Sequence, residues 1–133
     1  MEMRYPEPMA RLPEPLESHR KALQPGPEPA PGAATGVGEN SACGDRIEVW
    51  LAEADGRLRC GYAGRGCSAA LALASYACAA LEGRPRAELP SFDLRGEVEA
   101  MGGLGRTQQH ALELVLRALD EARAGLARGY PLR

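Results

Sequence analysis

The chain has 133 residues, which fits one small domain. Its 18 acidic and 16 basic residues leave a net charge of −2, which disfavours nucleic acid and anionic membranes as main partners because both require a basic excess. No uninterrupted apolar run approaches the roughly 20 residues of a membrane span, and residues 1–6 lack the apolar core of a signal peptide, so we expect a cytoplasmic protein.

The first 36 residues are rich in proline and hold eight of the eleven prolines in the chain. Proline fixes φ and lacks an amide hydrogen, so regular structure is disfavoured over most of this segment. We expect one short helix over residues 16–23, followed by an extended linker over residues 25–38. The predicted domain runs over residues 37–128, and residues 129–133 form a tail.

Two short strands are expected next. The alternating pattern of residues 46–51 predicts a half-buried strand with Ile47 on the inner face and Trp50 on the outer face. Asp55-Gly56 suits a tight hairpin turn. Residues 57–62 alternate again, which predicts a second strand with Cys60 facing the core.

Two longer helices complete the sequence-based outline. Residues 68–82 carry no charge before Glu82, which predicts a helix buried nearly all round and ended by Gly83. Residues 84–105 are expected to form a mixed connector, with a short strand or turn near residues 92–94. The last helix has the clearest apolar periodicity, with Thr107 as the expected N-cap and Glu113–Arg117 as an ion pair on the outer face.

The cysteines are the strongest chemical signal in the chain. In a reducing location, cysteines are more often metal ligands, nucleophiles or core residues than disulfides. Cys67 directly precedes the buried helix, where unpaired amide hydrogens and the helix dipole favour a thiolate. Cys43-Gly44-Asp45 directly precedes the first hairpin strand, and the hairpin brings this end close to Cys67. Two thiolates and one carboxylate suit zinc or iron.

The other candidate ligands are expected to differ in role. Cys78 would lie about 16 Å along the helix from Cys67, so it is predicted to pack in the core. Cys60, in the middle of a strand, is predicted to do the same. His19 is expected to be a solvated surface residue, whereas His110 lies off the apolar face of the last helix and is a further candidate metal ligand.

Two motifs give the chain a family resemblance. Residues 37–45 (Val-Gly-Glu-Asn-Ser-Ala-Cys-Gly-Asp) and 64–70 (Gly-Arg-Gly-Cys-Ser-Ala-Ala) resemble the U-type iron–sulfur assembly scaffolds: IscU, SufU and the N-terminal domain of NifU. The resemblance covers about residues 37–126. It implies an α+β fold, with a small antiparallel sheet of about three strands packed against helices, and a scaffold rather than a turnover enzyme. It also implies a cysteine desulfurase and recipient apo iron–sulfur proteins as partners.

In that family three cysteines and an aspartate hold a labile [2Fe–2S] cluster or a zinc ion, and one cysteine accepts persulfide sulfur. The matching positions here are Cys43, Asp45 and Cys67. The third cysteine should open the last long helix, within residues 107–110, and none is present there. Gln108 is nearest the expected place, and His110 is the only strong ligand type in reach. The apolar-proline motif by which a chaperone recognises IscU-type members is also absent, so handover through that chaperone is not supported.

Three hypotheses follow from these residues. The paired motifs favour a scaffold or carrier of sulfur or metal that binds iron, a labile [2Fe–2S] cluster or zinc through Cys43, Asp45 and Cys67. In the second hypothesis, Cys43 followed by Val49-Trp50-Leu51 resembles the SufE-type sulfur acceptors, which share the fold and would use Cys43 alone as the persulfide acceptor. In the third, the scaffold fold serves only as a binding module.

Overall fold

A three-stranded sheet and four α-helices make up the structure, a computed structural model that describes residues 12–23, 26–42 and 44–128. The strands form one antiparallel sheet in the order β1-β2-β3. The predicted α+β class, with a small antiparallel sheet packed against helices, is confirmed. In chain order the elements are α1 Glu14–Lys21, β1 Ala34–Asn40, β2 Asp45–Ala54, β3 Arg57–Arg65, α2 Ser68–Leu81, α3 Leu94–Ala100 and α4 Gln109–Ala127, with 3₁₀ turns at Arg86–Ser91 and Arg106–Gln108.

The predicted hairpin is present as β2 and β3. Asp55 and Gly56 form its turn with φ angles of 55° and 77°, the left-handed conformation that tight hairpin turns require. The register pairs Arg46 with Arg65 at the opposite end. The beginning of β2 therefore lies beside the end of β3, which brings Asp45 and the residues after Arg65 together.

The outer face of the hairpin is more covered than the sequence indicates. Trp50 lies on this face, as predicted, yet only 4% of it is exposed, so the strand is buried on both faces at this position rather than half-buried. Its register partner is Gly61, where a Cβ atom would lie 2.3 Å from Trp50 Nε1. The same Nε1 donates a hydrogen bond to the carbonyl of Pro27 at 3.2 Å. The backbone of the proline-rich segment thus covers the indole.

The predicted linker over residues 25–38 ends too late, because β1 already begins at Ala34. This strand pairs with β2 from Ala34↔Leu51 to Asn40↔Asp45. Its glycines face α4 at very short range: a Cβ on Gly36 would lie 2.0 Å from the carbonyl oxygen of Ala118, and one on Gly38 would lie 2.0 Å from that of Leu114. Close packing of α4, rather than an alternating apolar pattern, therefore fixes this strand.

The N-terminal helix belongs to the packed body of the protein. Leu16 of α1 is fully buried, and His19 Nδ1 lies 2.8 Å from Ser75 Oγ on α2. The His19 ring also meets Tyr76 edge-on at 5.7 Å, so the prediction of a solvated His19 is wrong. The predicted division of the chain at residue 36 stays a prediction, and residues 129–133 lie outside the described residues.

The second half of the chain differs from expectation at three points. Residues 94–100 form a short helix, α3, whose N-cap Asp93 accepts a hydrogen bond from the amide of Gly96, where a turn or strand was expected. Helix α4 begins at Gln109 rather than after a Thr107 cap. Glu113 pairs with Arg95 at 2.8 Å instead of Arg117. No helix in the described part of the chain is long and apolar enough to cross a membrane.

Candidate metal centre

Three side chains from three separate elements meet at one end of the sheet. Asp45 is the first residue of β2, Cys67 directly precedes α2, and His110 lies in the first turn of α4. One potential donor atom from each side chain lies within 4.8 Å of the other two. Cys67 Sγ is 3.9 Å from His110 Nε2, and that nitrogen is 3.7 Å from Asp45 Oδ2. The fold therefore brings a thiol, an imidazole and a carboxylate together.

Gly66 makes the contact between Asp45 and Cys67 possible. Its φ of 128° is one that residues with a side chain rarely adopt. A Cβ atom on Gly66 would lie 2.3 Å from Asp45 Oδ1. The glycine thus provides both the chain reversal from β3 into α2 and the space that the carboxylate occupies.

The site is closed on one side and open on the other. Only 9% of the Asp45 side chain is exposed, compared with 45% of the His110 side chain. Cys67 lies between these extremes. A buried carboxylate is stable only when it has a partner of complementary charge or hydrogen bonds. A cation entering from the His110 side would supply such a charge.

The protonation of Cys67 differs from the sequence-based expectation. Burial is the largest effect and raises the pKa of the Cys67 thiol, and the neighbouring Asp45 carboxylate raises the pKa further. Hydrogen bonds from the amides of Ala70 and Ala69 lower the pKa, but by less. The amides at the start of α2 therefore favour the thiolate as predicted, but burial and the Asp45 carboxylate outweigh them in the site without a cation. A bound cation reverses this balance, because a coordinating thiol loses its proton.

Comparison with known proteins shows the family of the chain. The family model of the NifU-like N terminal domain matches residues 19–128. The chain belongs to this family. Similar solved structures include the N-terminal part of a nitrogen-fixing NifU-like protein from Brucella abortus (TM-score 0.49, 17% identity, covering 71% of this chain and 77% of that one). Another is a hypothetical protein (TM-score 0.41, 20% identity, covering 74% and 69%). The search of curated proteins found no match.

Membership in the NifU-like family suggests a scaffold role in iron–sulfur assembly. The Asp45–Cys67–His110 group is compatible with that role because it places metal-ligating atoms together in a partly open site. The resemblance to a U-type scaffold, drawn from the paired motifs, is thus confirmed at the level of the family.

The first predicted cysteine of this NifU-like domain, Cys43, lies outside the described residues. Its neighbours belong to the turn that joins β1 to β2: the Ala42 amide donates to Asn40 Oδ1 at 3.0 Å, and the Gly44 amide donates to the Asn40 carbonyl at 2.8 Å. The predicted roles of Cys43 as metal ligand and as persulfide acceptor stay predictions.

The two remaining cysteines lie in the core of the domain, as predicted. Cys60 is 6% exposed and Cys78 is 7% exposed. Their sulfur atoms are 3.0 Å apart. This contact was not predicted, because each cysteine was assigned to the core from its own position in the sequence. The signal that could have revealed it is that both residues face the interface between the second hairpin strand and the following helix.

Proposed function

We propose that this NifU-like domain is a carrier in iron–sulfur assembly that holds one divalent ion, zinc or iron(II), through Asp45, Cys67 and His110, with Cys43 as the fourth ligand. The observation that supports the proposal is the convergence of the three described donor atoms within 4.8 Å of one another. Each donor comes from a different element, so a bound ion would connect β2, α2 and α4.

The distances between these donors suit a single tetrahedral ion. Tetrahedral coordination with a metal–sulfur bond of about 2.3 Å and a metal–nitrogen bond of about 2.05 Å places the sulfur and nitrogen ligands about 3.6 Å apart. With a metal–oxygen bond of about 2.0 Å, the nitrogen and oxygen ligands lie about 3.3 Å apart. The corresponding distances here are 3.9 Å from Cys67 to His110 and 3.7 Å from His110 to Asp45. Both need to shorten by only a few tenths of an ångström, which rotation of the exposed imidazole can provide.

The donor types also favour a single ion. Thiolate, imidazole and carboxylate together form a mixed set of the kind that zinc and iron(II) accept. A [2Fe–2S] cluster takes two ligands on each iron and is held mainly by cysteines. Because the described group offers only one cysteine, a labile [2Fe–2S] cluster on this domain would require Cys43 as well. We therefore propose the single ion as the main cargo and the cluster as a product that depends on Cys43.

The proposed partners follow from the same chemistry. Assembly of a cluster on Cys43 and Cys67 requires sulfur from a cysteine desulfurase and delivery to recipient apo iron–sulfur proteins. In this proposal the domain acts as a carrier and not as a turnover enzyme. Cys43 is the proposed persulfide acceptor.

The first experiment is metal analysis of protein purified without oxygen, followed by competition with a chromophoric zinc chelator. We expect one ion per chain, and at least about tenfold weaker binding when Asp45→Asn, Cys67→Ser or His110→Ala removes a donor. Asp120→Asn is the matched control, since the Asp120 side chain is 71% exposed and lies almost three turns beyond His110 on α4. Unchanged affinity in all three donor variants would rule out the proposed site.

A second measurement separates the carrier from the SufE-type hypothesis. The protein is incubated with a cysteine desulfurase and free cysteine, and peptide mass spectrometry then locates any added sulfur. Sulfur on Cys43 together with metal binding that depends on Cys67 supports the carrier. Sulfur on Cys43 with no metal bound at all supports a sulfur acceptor instead. The absence of both metal and sulfur leaves only the binding-module hypothesis.

A further inference from the structure

A second pair of cysteines lies between the hairpin and the helix that follows it. Cys60 belongs to β3 and Cys78 to α2, and both thiols are free. Their sulfur atoms are 3.0 Å apart, and both residues are almost completely buried. Because a disulfide bond is about 2.05 Å long, the two sulfurs need to approach by about 1 Å to become linked.

The position of this pair matters for the metal centre. From Cys60 the chain runs through the end of β3 to Gly66 and Cys67 and returns through α2 to Cys78. A bond between Cys60 and Cys78 would therefore close a ring that contains Cys67, seven residues from one end and eleven from the other. Such a ring would hold β3 and α2 together on both sides of the metal-ligating thiol.

We propose that Cys60 and Cys78 form a disulfide on oxidation by a small peroxide, and that this bond fixes β3 to α2. This inference does not depend on the proposed metal site, since neither cysteine belongs to it.

The reaction balances with hydrogen peroxide alone. One thiol, as its thiolate, attacks a peroxide oxygen, the O–O bond breaks, and a sulfenic acid and water form. The sulfur of the second thiol then attacks the sulfenic sulfur, the S–O bond breaks, and the leaving hydroxide takes the thiol proton to give a second water. Each sulfur loses one electron and the peroxide gains two.

The surroundings make the first step slow and the second step favourable. The hydrogen bond with Cys78 raises the pKa of the Cys60 thiol, and burial and the nearby Glu82 carboxylate add to this effect. Glu82 also fixes the position of Cys60 by accepting its amide hydrogen at 2.9 Å. We therefore expect slower oxidation than at the more exposed Cys67. Once a sulfenic acid forms, the adjacent thiol should capture it before further oxidation.

The test uses the full chain treated with a small excess of hydrogen peroxide, blocked with an alkylating agent in denaturant, and digested with trypsin. Cleavage after Arg59 and Arg65 separates residues 60–65, which contain Cys60, from residues 66–86, which contain Cys67 and Cys78. Fragmentation of the linked peptides then shows which cysteine is bonded to Cys60. The expected product is the Cys60–Cys78 link, and it should also form in a Cys67→Ser variant, which retains both partners.

Thermal unfolding gives a second readout. Closing a ring of about 19 residues should raise the midpoint by roughly 10 °C relative to the reduced protein. Cys78→Ala should show no such rise after the same treatment. If Cys78→Ala does not fold, the peptide analysis of the unsubstituted chain still decides the question. Links that involve only Cys43 or Cys67, sulfinic acid at Cys60 or Cys78, or recovery of both as alkylated thiols would each overturn the inference.

Discussion

Replacing Gly38 by alanine should weaken both the fold and the proposed metal site. A Cβ atom at this position would lie 2.0 Å from the carbonyl oxygen of Leu114 and 2.8 Å from its carbonyl carbon. Ordinary contact begins near 3.4 Å, so β1 and α4 must separate by more than 1 Å. Overpacking of this kind costs about 1–3 kcal/mol, and the smaller entropy of the unfolded alanine chain offsets about 0.4–1 kcal/mol. We expect a net loss of about 1–2 kcal/mol in the free energy of unfolding.

Urea unfolding measures this loss directly. With a urea m-value of about 2 kcal/mol/M, the midpoint of Gly38→Ala should fall by about 0.5–1 M. His110 lies one turn before Leu114 on the same helix, so zinc affinity should fall as well. Thr35→Ala is the control, because Thr35 lies on the same strand but faces solvent. A Gly38→Ala protein with an unchanged midpoint and unchanged zinc affinity would refute the close packing of α4 on β1.

Three further predictions follow from individual side chains. His110→Cys should bind zinc at least about tenfold more tightly than His110→Ala in chelator competition, because a thiolate replaces the donor that alanine lacks. Equal affinities would mean that position 110 is not a ligand. The hydrogen bond from Arg20 lowers the pKa of Glu17 below its ordinary value of 4.5. The ionised Glu17 therefore stabilises the fold above pH 4.5, and this stabilisation is lost as the pH falls through the lowered pKa. Glu17→Gln should flatten the dependence of the urea midpoint on acid pH. The hydrogen bond that the Tyr76 hydroxyl donates to Glu97 raises the pKa of Tyr76 from 10.0 to about 12. This hydrogen bond stabilises the fold below about pH 10, and the stabilisation is lost as the pH rises through 12. Phenolate absorbance should show a lower Tyr76 pKa in Glu97→Gln.

The sequence was sufficient where a local pattern determines the structure. The Asp55-Gly56 turn and the alternation around it predicted the hairpin, and the uncharged run after Cys67 predicted the buried helix α2. Strand β1 was missed because Gly36 and Gly38 are held by contact with α4, which is distant in sequence. The burial of Trp50 was missed for a related reason, since the Pro27 carbonyl that covers it belongs to a segment without periodicity.

The candidate site was also only partly predictable from the sequence. Antiparallel pairing in the hairpin is enough to bring Asp45 near Cys67, so this approach could be predicted from the chain alone. The place of His110 depends on how α4 packs across the sheet, for which only the family resemblance gave a guide. The pKa of Cys67 could not be predicted from its place at the start of α2. Burial and the Asp45 carboxylate raise this pKa by more than the amides of α2 lower it.

The three candidate donors belong to parts of the fold that differ in stability. Asp45 and Cys67 stand on a paired strand and on the start of a buried helix, whereas His110 belongs to the first turn of α4. Gln108, at the start of that turn, makes no side-chain cap bond to any described residue. Helix ends of this kind fray at little cost in free energy. Fraying of only the first two residues of α4, Gln109 and His110, which are both exposed, would withdraw the imidazole while Ala111 and Leu112 stay buried in the core. Asp45 and Cys67 would remain in place, so an ion held in the proposed site would have an exit that requires no opening of the core.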